Sequence, residues 1–598
     1  YIHTYYRDTV VMTDFKVIRT SDRVLVIPAD PETLPYPIAF DCNTGVCQRL
    51  EQGYFDRAEG EKVATTEPFK ASCLLGTIQL FSGRYLMVAT KTKRVAVLPK
   101  DQHSVFRVDK ATLIPFALDQ LSRLTSAARR TEEQAYLDMF EWMLNGVAAF
   151  YFSFEMDITH TRQRALLRPT QPDARFFWNQ QYVQELIDGN CSDWVVPITM
   201  GFVQQKLFAH DEKYYRLTLM SRRNMVRAGT RYFMRGADNK GNVANYVETE
   251  QIFEQHKPDS DDPTYTAFVQ VRGSIPVLWS QYPDLNYKIR VKFNGNDAEH
   301  FHAVREHFVA LQDLYRDTTA VNLVNKRGDE GRLGESYQKH VQRLSTDTRY
   351  IWFDFNAECK HTHMDKLSQL LDKTKDSLTR DGFLHVSEGK VIAMQKGIVR
   401  TNCIDNLDRT NVVQTLFALR SLEMQLETLS LPNGILQSST FSPIFKNIWA
   451  DNADDISKQY SGTGALKSDF TRTGKVSIKG MLKDGQNSIS RYYKNNFNDG
   501  FRQDAYNLFT GVYVIDHDAA TSEKSLRRPN HKTHILYILS LMIALAAWIH
   551  YSYIPASTSF VGGFITFIIY WIGAIILIGY LLKQCNNLLI DWPCLVPL

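Results

Sequence analysis

Of the eight cysteines in this 598-residue chain, only Cys403 has an arginine six positions later, Arg409. A cysteine thiolate is a potent nucleophile. A guanidinium offers a planar fork that fits two oxygens of a phosphate and stabilises charge gathering there in a transition state. The intervening residues bring two carboxylates, Asp405 and Asp408, of the kind that serve as general acid and base. Together these residue types suit displacement at a phosphate group.

That chemistry needs a scaffold, and the flanking sequence predicts one. Gly397 to Asn402 (GIVRTN) reads as a strand, Cys403 to Arg409 (CIDNLDR) as a loop, and Thr410 onward as a helix with Val412, Leu416, Leu419 and Leu426 on or near one face. In a strand-loop-helix of this kind the loop N–H groups and the helix N-terminus cradle phosphate oxygens, and the same field favours the thiolate. The phosphate-binding loop is therefore expected to include Asn402, Ile404, Asn406, Leu407 and Thr410.

RTNCIDNLDRTNVVQ (Arg400 to Gln414) closely resembles the signature of the Sac-domain phosphoinositide phosphatases, a cysteine, five residues, an arginine and then Thr or Ser. The resemblance continues through CLLGTIQL (Cys73 to Leu80), FYFSFEMDITHTRQR (Phe150 to Arg164) and AGTRYFMRGADNKGNVANYVETEQ (Ala228 to Gln251). It extends through RGSIPVLWSQ (Arg272 to Gln281), YSGTGALKSDFTRTGK (Tyr460 to Lys475) and RYYKNNFNDGFRQDAYNLF (Arg491 to Phe509).

The resemblance implies hydrolysis of phosphatidylinositol 4-phosphate, and of the 3-phosphate, without a metal ion or other cofactor. It implies a β-rich α+β N-terminal Sac domain packed on an α/β catalytic domain. It assigns Cys403 as the nucleophile that becomes a phosphocysteine and Arg409 as the phosphate clamp. Either Asp405, slightly favoured, or Asp408 protonates the inositol oxygen and later activates water; the other is read as a helix cap. Asn406 stands where relatives commonly carry a second loop cysteine, Asn356 where histidine is expected, and the tail LLIDWPCLVPL lacks a dilysine signal.

The composition, 44% hydrophobic and 22% charged, is that of an ordinary globular protein, and the formal charge of +4 is too small for a dedicated nucleic-acid binder. Thinly spread cysteines argue for a reduced, cytosolic body. Tyr1 to Asp8 is polar and aromatic, so no secretory signal is expected there. The pairs His300/His302 and His361/His363 lack companion ligands at familiar spacing, and no metal site is expected.

Ile535 to Ile554 and Phe560 to Leu582 contain no Asp, Glu, Lys or Arg, and each is long enough to cross a hydrocarbon core of about 30 Å as a helix. Arg527, Arg528, Lys532 and Lys583 flank the pair while the connector has no Lys or Arg, which orients both ends toward the cytosol. The predicted organisation is therefore an N-terminal Sac domain (1–170), a catalytic domain (171–510), a juxtamembrane linker (511–532), a transmembrane hairpin (533–583) and a short cytosolic tail (584–598). With the resemblance, this points to a multi-pass protein of the endoplasmic reticulum and Golgi, with a phosphoinositide lipid as substrate and contact-site or Golgi adaptor proteins as partners. A basic group near the end of the body, Lys467, Arg472, Lys475, Lys479, Lys483, Arg491 and Lys494, is expected either to meet anionic lipid or to be a solvated face. Two rival functions are a Sac-fold tether without turnover and a phosphatase acting on phosphoproteins; the latter lacks the glycine-rich His-Cys pattern.

Overall fold

Alternating β-branched and aromatic residues put much of the described part of the first hundred positions into strands, and the computed structural model orders them into two sheets. It describes residues 14–29, 36–50, 67–99, 103–146, 149–256, 263–286, 290–344, 348–359, 366–432, 434–473, 477–517 and 589–596, with short pieces within 540–548 and 571–576. The expected hairpin over 533–583 lies outside the described residues apart from those pieces, as do His361, His363 and Lys475. Among the described residues, no helix is long and apolar enough to cross a membrane.

Strands β1 (Phe15–Arg19), β2 (Arg23–Pro28), β3 (Ile38–Asp41), β4 (Cys47–Arg49) and β5 (Phe69–Ala71) form an antiparallel sheet in the order β4-β3-β2-β1-β5. The next strands are β6 (Cys73–Gln79), β7 (Arg84–Val97), β8 (Ser104–Pro115), β9 (Phe150–Phe152), β10 (Thr199–His210), β11 (Lys213–Arg223), β12 (Val247–His256) and β13 (Thr264–Arg272). The short β14 (Trp279–Gln281) and β15 (Val291–Phe293) pair only with each other. Then come β16 (Asp317–Asn322), β17 (Thr348–Trp352), β18 (Leu384–Ser387), β19 (Lys390–Ala393) and β20 (Gly397–Asn402).

The larger sheet has thirteen strands, β17-β16-β20-β13-β12-β11-β10-β9-β8-β7-β6, with β18 and β19 attached beside β13. It runs without a break from β9 to β10, pairing Tyr151 with Thr199 across the expected boundary at 170. The long β7 keeps its pairing with β8 through register shifts after Ala89 and Arg94, which are absorbed as bulges.

Among the described residues the helices of eleven residues or more are α1 (Ala127–Glu141), α2 (Asp297–Tyr315), α3 (Gly328–Val341), α4 (Leu367–Asp381), α5 (Asp408–Thr428), α6 (Phe441–Ser461), α7 (Ile478–Phe497) and α8 (Asp499–Phe509). At one end of the larger sheet β17, β16, β20 and β13 run parallel, and helices cover both faces as such strands require. Ile398 joins Val304, Phe308, Leu333 and Tyr337 of α2 and α3 on one face. Its neighbour Val399 joins Leu370, Leu378, Val413 and Phe417 of α4 and α5 on the other. Each buried aliphatic of this kind stabilises the layer by about 1.5–3 kcal/mol.

The C-terminal tail also belongs to the body. Asp591 N–H donates to the Asn496 carbonyl (2.8 Å) at the end of α7, and Cys594 and Leu595 N–H donate to Asp504 of α8 (2.7 and 2.9 Å). Gly500 permits this approach, since a Cβ there would lie 2.4 Å from the Asp591 carbonyl oxygen.

Candidate active site

The reactive loop leaves the C-terminal end of β20, a fully buried strand held between β16 and β13. Its last residues are locked before the loop begins. Asn402 Nδ2–H donates to Asn322 Oδ1 (2.6 Å), Leu323 N–H to the Asn402 carbonyl (2.8 Å), and Arg400 to Asn402 Oδ1 (2.6 Å). The Asn402 side chain is thus committed to the scaffold. Cys403 follows, buried at the strand mouth.

Arg409 stands in the first turn of α5, which starts at Asp408, two residues earlier than its apolar pattern predicts. Burial pulls its pKa down, but Cys403, Glu330 and Asp405 more than offset this and keep the guanidinium charged. Nη1 donates to Glu330 Oε2 (2.9 Å) and to the Leu323 carbonyl (3.1 Å), and Nη2 to Glu330 Oε1 (3.0 Å). Arg272, at the end of β13, is a second guanidinium in electrostatic reach of Cys403; burial lowers its pKa to about 10 against that attraction. One of its nitrogens bonds Asn411, while Nε and Nη2 are buried without a hydrogen-bond partner among the described residues. A buried guanidinium left in that condition suits an anionic ligand.

The two loop carboxylates face different partners. Asp405 accepts from Arg231 (2.9 Å) and Arg235 (2.8 Å). Burial pushes its pKa up, but these guanidiniums outweigh burial and hold it well below the usual carboxylate range. Asp408 accepts from Leu466 N–H (2.6 Å) and from Arg491 of α7 (2.9 Å).

Ile404 lends its carbonyl to Arg235 (2.9 Å), and Leu407 is buried. Asn406 adopts φ +55°, a left-handed conformation that asparagine tolerates, and donates weakly to the Asn245 carbonyl (3.4 Å). Thr410 is fully buried with no partner for its hydroxyl among the described residues. Lys467 completes the rim, its pKa lowered by burial and by Arg409 against the opposing pull of Asp408.

The SacI homology domain matches residues 72–360. The chain is 37% identical to phosphatidylinositol-3-phosphatase SAC1 of Drosophila melanogaster over 564 residues, covering 90% of this chain and 91% of that protein. The chain belongs to the Sac phosphoinositide phosphatase family. Further relatives are phosphatidylinositol-3-phosphatase SAC1-A of Danio rerio (39% identity over 74% of this chain and 76% of that protein) and SAC1 of Saccharomyces cerevisiae (36% over 77% and 76%).

Within this Sac phosphatase the sequence reading singles out the loop but not the residues gathered around it. Arg231 and Arg235 lie in the AGTRYFMRG stretch, one helical turn apart in number, and Arg272 opens RGSIPVLWSQ; those charges inside apolar motifs are the available signal. Glu330, in the first turn of α3, carries none beyond its helix position. The basic group near the end of the body divides. Arg491 is buried on Asp408, Arg472 is paired with Asp451 (2.8 Å) and Asp454 (3.1 Å), and Lys494 donates to the Gly462 carbonyl (2.8 Å). Among the described residues, no group of three or more His, Cys, Asp or Glu side chains is disposed to hold a metal ion. His300 accepts from Leu278 N–H (3.1 Å) instead.

Proposed function

We propose that this Sac phosphatase hydrolyses phosphatidylinositol 4-phosphate, and also the 3-phosphate, to phosphatidylinositol and inorganic phosphate through a phosphocysteine. The observation carrying the proposal is a buried Cys403 at the mouth of β20, with Arg409 on the same loop held by Glu330 and Arg272 buried with two nitrogens lacking a partner among the described residues. The Cys403 sulfur attacks phosphorus, the bond from phosphorus to the inositol oxygen breaks, and a loop carboxylic acid gives that oxygen its proton. Water then attacks the phosphocysteine, losing its proton to the same carboxylate, and phosphate leaves as the thiolate is restored. Asp405 is the favoured carboxylate. It is ionised between Arg231 and Arg235 in the free protein, and an arriving phosphate that draws on these guanidiniums raises its proton affinity. Asp408 is the alternative, with the structural role of tying the loop to α7.

The same reading divides the body at about residue 170, and makes 533–583 a membrane hairpin that holds a cytosolic body on the endoplasmic reticulum and Golgi, where adaptor proteins meet it. No metal ion is needed. The test is phosphate release across a panel of mono- and bisphosphorylated inositol lipids, for wild type and Cys403→Ser, with and without a chelator. Release confined to monophosphates, absent in Cys403→Ser and indifferent to chelator, is expected. A folded wild-type protein that binds these lipids without turnover would replace the enzyme by a tether.

A further inference from the structure

Helix α7 presents two unlike faces. On a helix turning about 100° per residue, Ile478, Leu482, Ile489 and Tyr493 lie within about 60° of one another, and Arg491 projects from the opposite side. The outward stripe is bare: Ile478, Leu482 and Ile489 are 74%, 71% and 74% exposed. Apolar side chains left so open along one helix, beside a phosphatase site, ask for an occupant.

We propose that this stripe is a bilayer-docking face, inserting among the headgroups and upper acyl chains of an anionic membrane and bringing the Cys403 loop to lipid-borne substrate. The proposal rests on the lipid-phosphatase reading above and adds the surface through which substrate is reached. Charge complementarity favours lipid. Lys479 and Lys483 lie along one edge of the stripe, both exposed, and neither makes an ion pair among the described residues. An apolar face edged by lysines is the pattern of an interfacial helix.

The chain's own course favours it too. The tail residue Asp591 is hydrogen-bonded to Asn496 on this helix. Only six positions separate Lys583, at the end of the expected hairpin, from the docked Leu589, a reach of about 20 Å at most. On the hairpin reading, the C-terminal end of α7 is therefore tethered within that reach of the membrane exit.

The inward face makes the docking consequential. Arg491 clasps Asp408 (2.9 Å), and Asn495 accepts from Arg231 (3.3 Å), the partner of Asp405. Ile489 and Arg491 are about 3 Å apart along the axis. One helix thus carries both the lipid-facing stripe and the brace of the catalytic loop.

The full chain is reconstituted in vesicles of phosphatidylcholine, phosphatidylserine and phosphatidylinositol 4-phosphate, and a water-soluble short-chain analogue of the same inositol lipid is supplied in a parallel reaction. The double variant Leu482→Glu, Ile489→Glu is expected to hydrolyse the bilayer substrate about ten-fold more slowly, since two apolar side chains lose their burial, while its rate on the soluble analogue is unchanged. A benzophenone side chain at position 482 is expected to cross-link to phospholipid. Equal loss on both substrates would assign the stripe to loop integrity alone, and an unchanged bilayer rate would also overturn the proposal. So would a dimer in detergent solution that the double variant dissolves, because a second copy would then be the occupant. Wild-type protein inactive on both substrates would instead defeat the phosphatase reading, and the lipid cross-link would still decide the docking face.

Discussion

Glu330 holds Arg409 end-on, Oε2 and Oε1 lying 2.9 and 3.0 Å from Nη1 and Nη2. The Leu323 carbonyl takes a second hydrogen of Nη1, so the Nε–Nη2 edge of the fork is uncommitted among the described residues. Glu330 therefore acts as a positioning residue, fixing the guanidinium whose charge acts on Cys403. Glu330→Ala is expected to lower kcat/KM on phosphatidylinositol 4-phosphate by about 10- to 100-fold, as loss of a charge-assisted bidentate pair implies. Glu330→Gln, which keeps one hydrogen bond, is expected to recover most of the loss, a rescue that a merely space-filling role would not require.

Arg272 is buried with two nitrogens unpartnered among the described residues, a costly arrangement that an anion would relieve. Arg272→Lys keeps a charge but loses the fork and is expected to lower kcat/KM by about 10²-fold, in the range seen when one transition-state donor is removed. Vanadate, as a phosphate mimic, is expected to inhibit this variant far more weakly. Inhibition equal to that of the wild type would remove Arg272 from the phosphate site.

The strand, loop and helix around Cys403 are legible in the sequence because their signals are local: β-branched residues in GIVRTN, then an apolar helical period after Arg409. The residues that complete the site are not. Arg231 reaches Asp405 from 174 positions away and Glu330 reaches Arg409 from 79, and no periodicity encodes such pairings. Arg491 is misleading for a related reason. In sequence it is one cation in a basic run, whereas the fold buries it on Asp408, leaving Lys479 and Lys483 as the outward charges of α7. The tail reads as a short cytosolic segment, and Asn496, Gly500 and Asp504 on α7 and α8, far upstream, reveal where it docks.

Two histidines against this architecture set a pH dependence. Burial and the adjacent Arg400 lower His307 well below its ordinary pKa. Burial, against an opposing Asp297, lowers His340 to about 4. Both therefore bind protons more tightly in the unfolded chain, where the pKa is about 6.5. Stability from their neutral forms is full above that value and is lost as pH falls through the window from about 6.5 to 4. The thermal midpoint of the body is expected to drop between pH 7 and pH 5, and His340→Gln is expected to make the drop shallower. A midpoint flat across that interval in the wild type would contradict the burial of both rings in uncharged form.

Asp405 and Asp408 are separable by leaving group. A general acid matters for the inositol alkoxide, a poor leaving group, and hardly at all for an aryl phosphate, whose phenolate departs without a proton. Asp405→Asn is therefore expected to cost about 10²- to 10⁴-fold on phosphatidylinositol 4-phosphate and very little on p-nitrophenyl phosphate. Its single amide oxygen can accept from only one of Arg231 and Arg235, and the other arginine falls back on its remaining acceptors, Asn495 for Arg231 or Gln281 and the Ile404 carbonyl for Arg235. Asp408→Asn severs the tie to Arg491 and is expected to reduce both activities together, because a displaced loop misplaces Cys403 whatever group is leaving. If the leaving-group-sensitive loss appeared in Asp408→Asn instead, the acid would be Asp408, and the paired arginines around Asp405 would serve to anchor the loop.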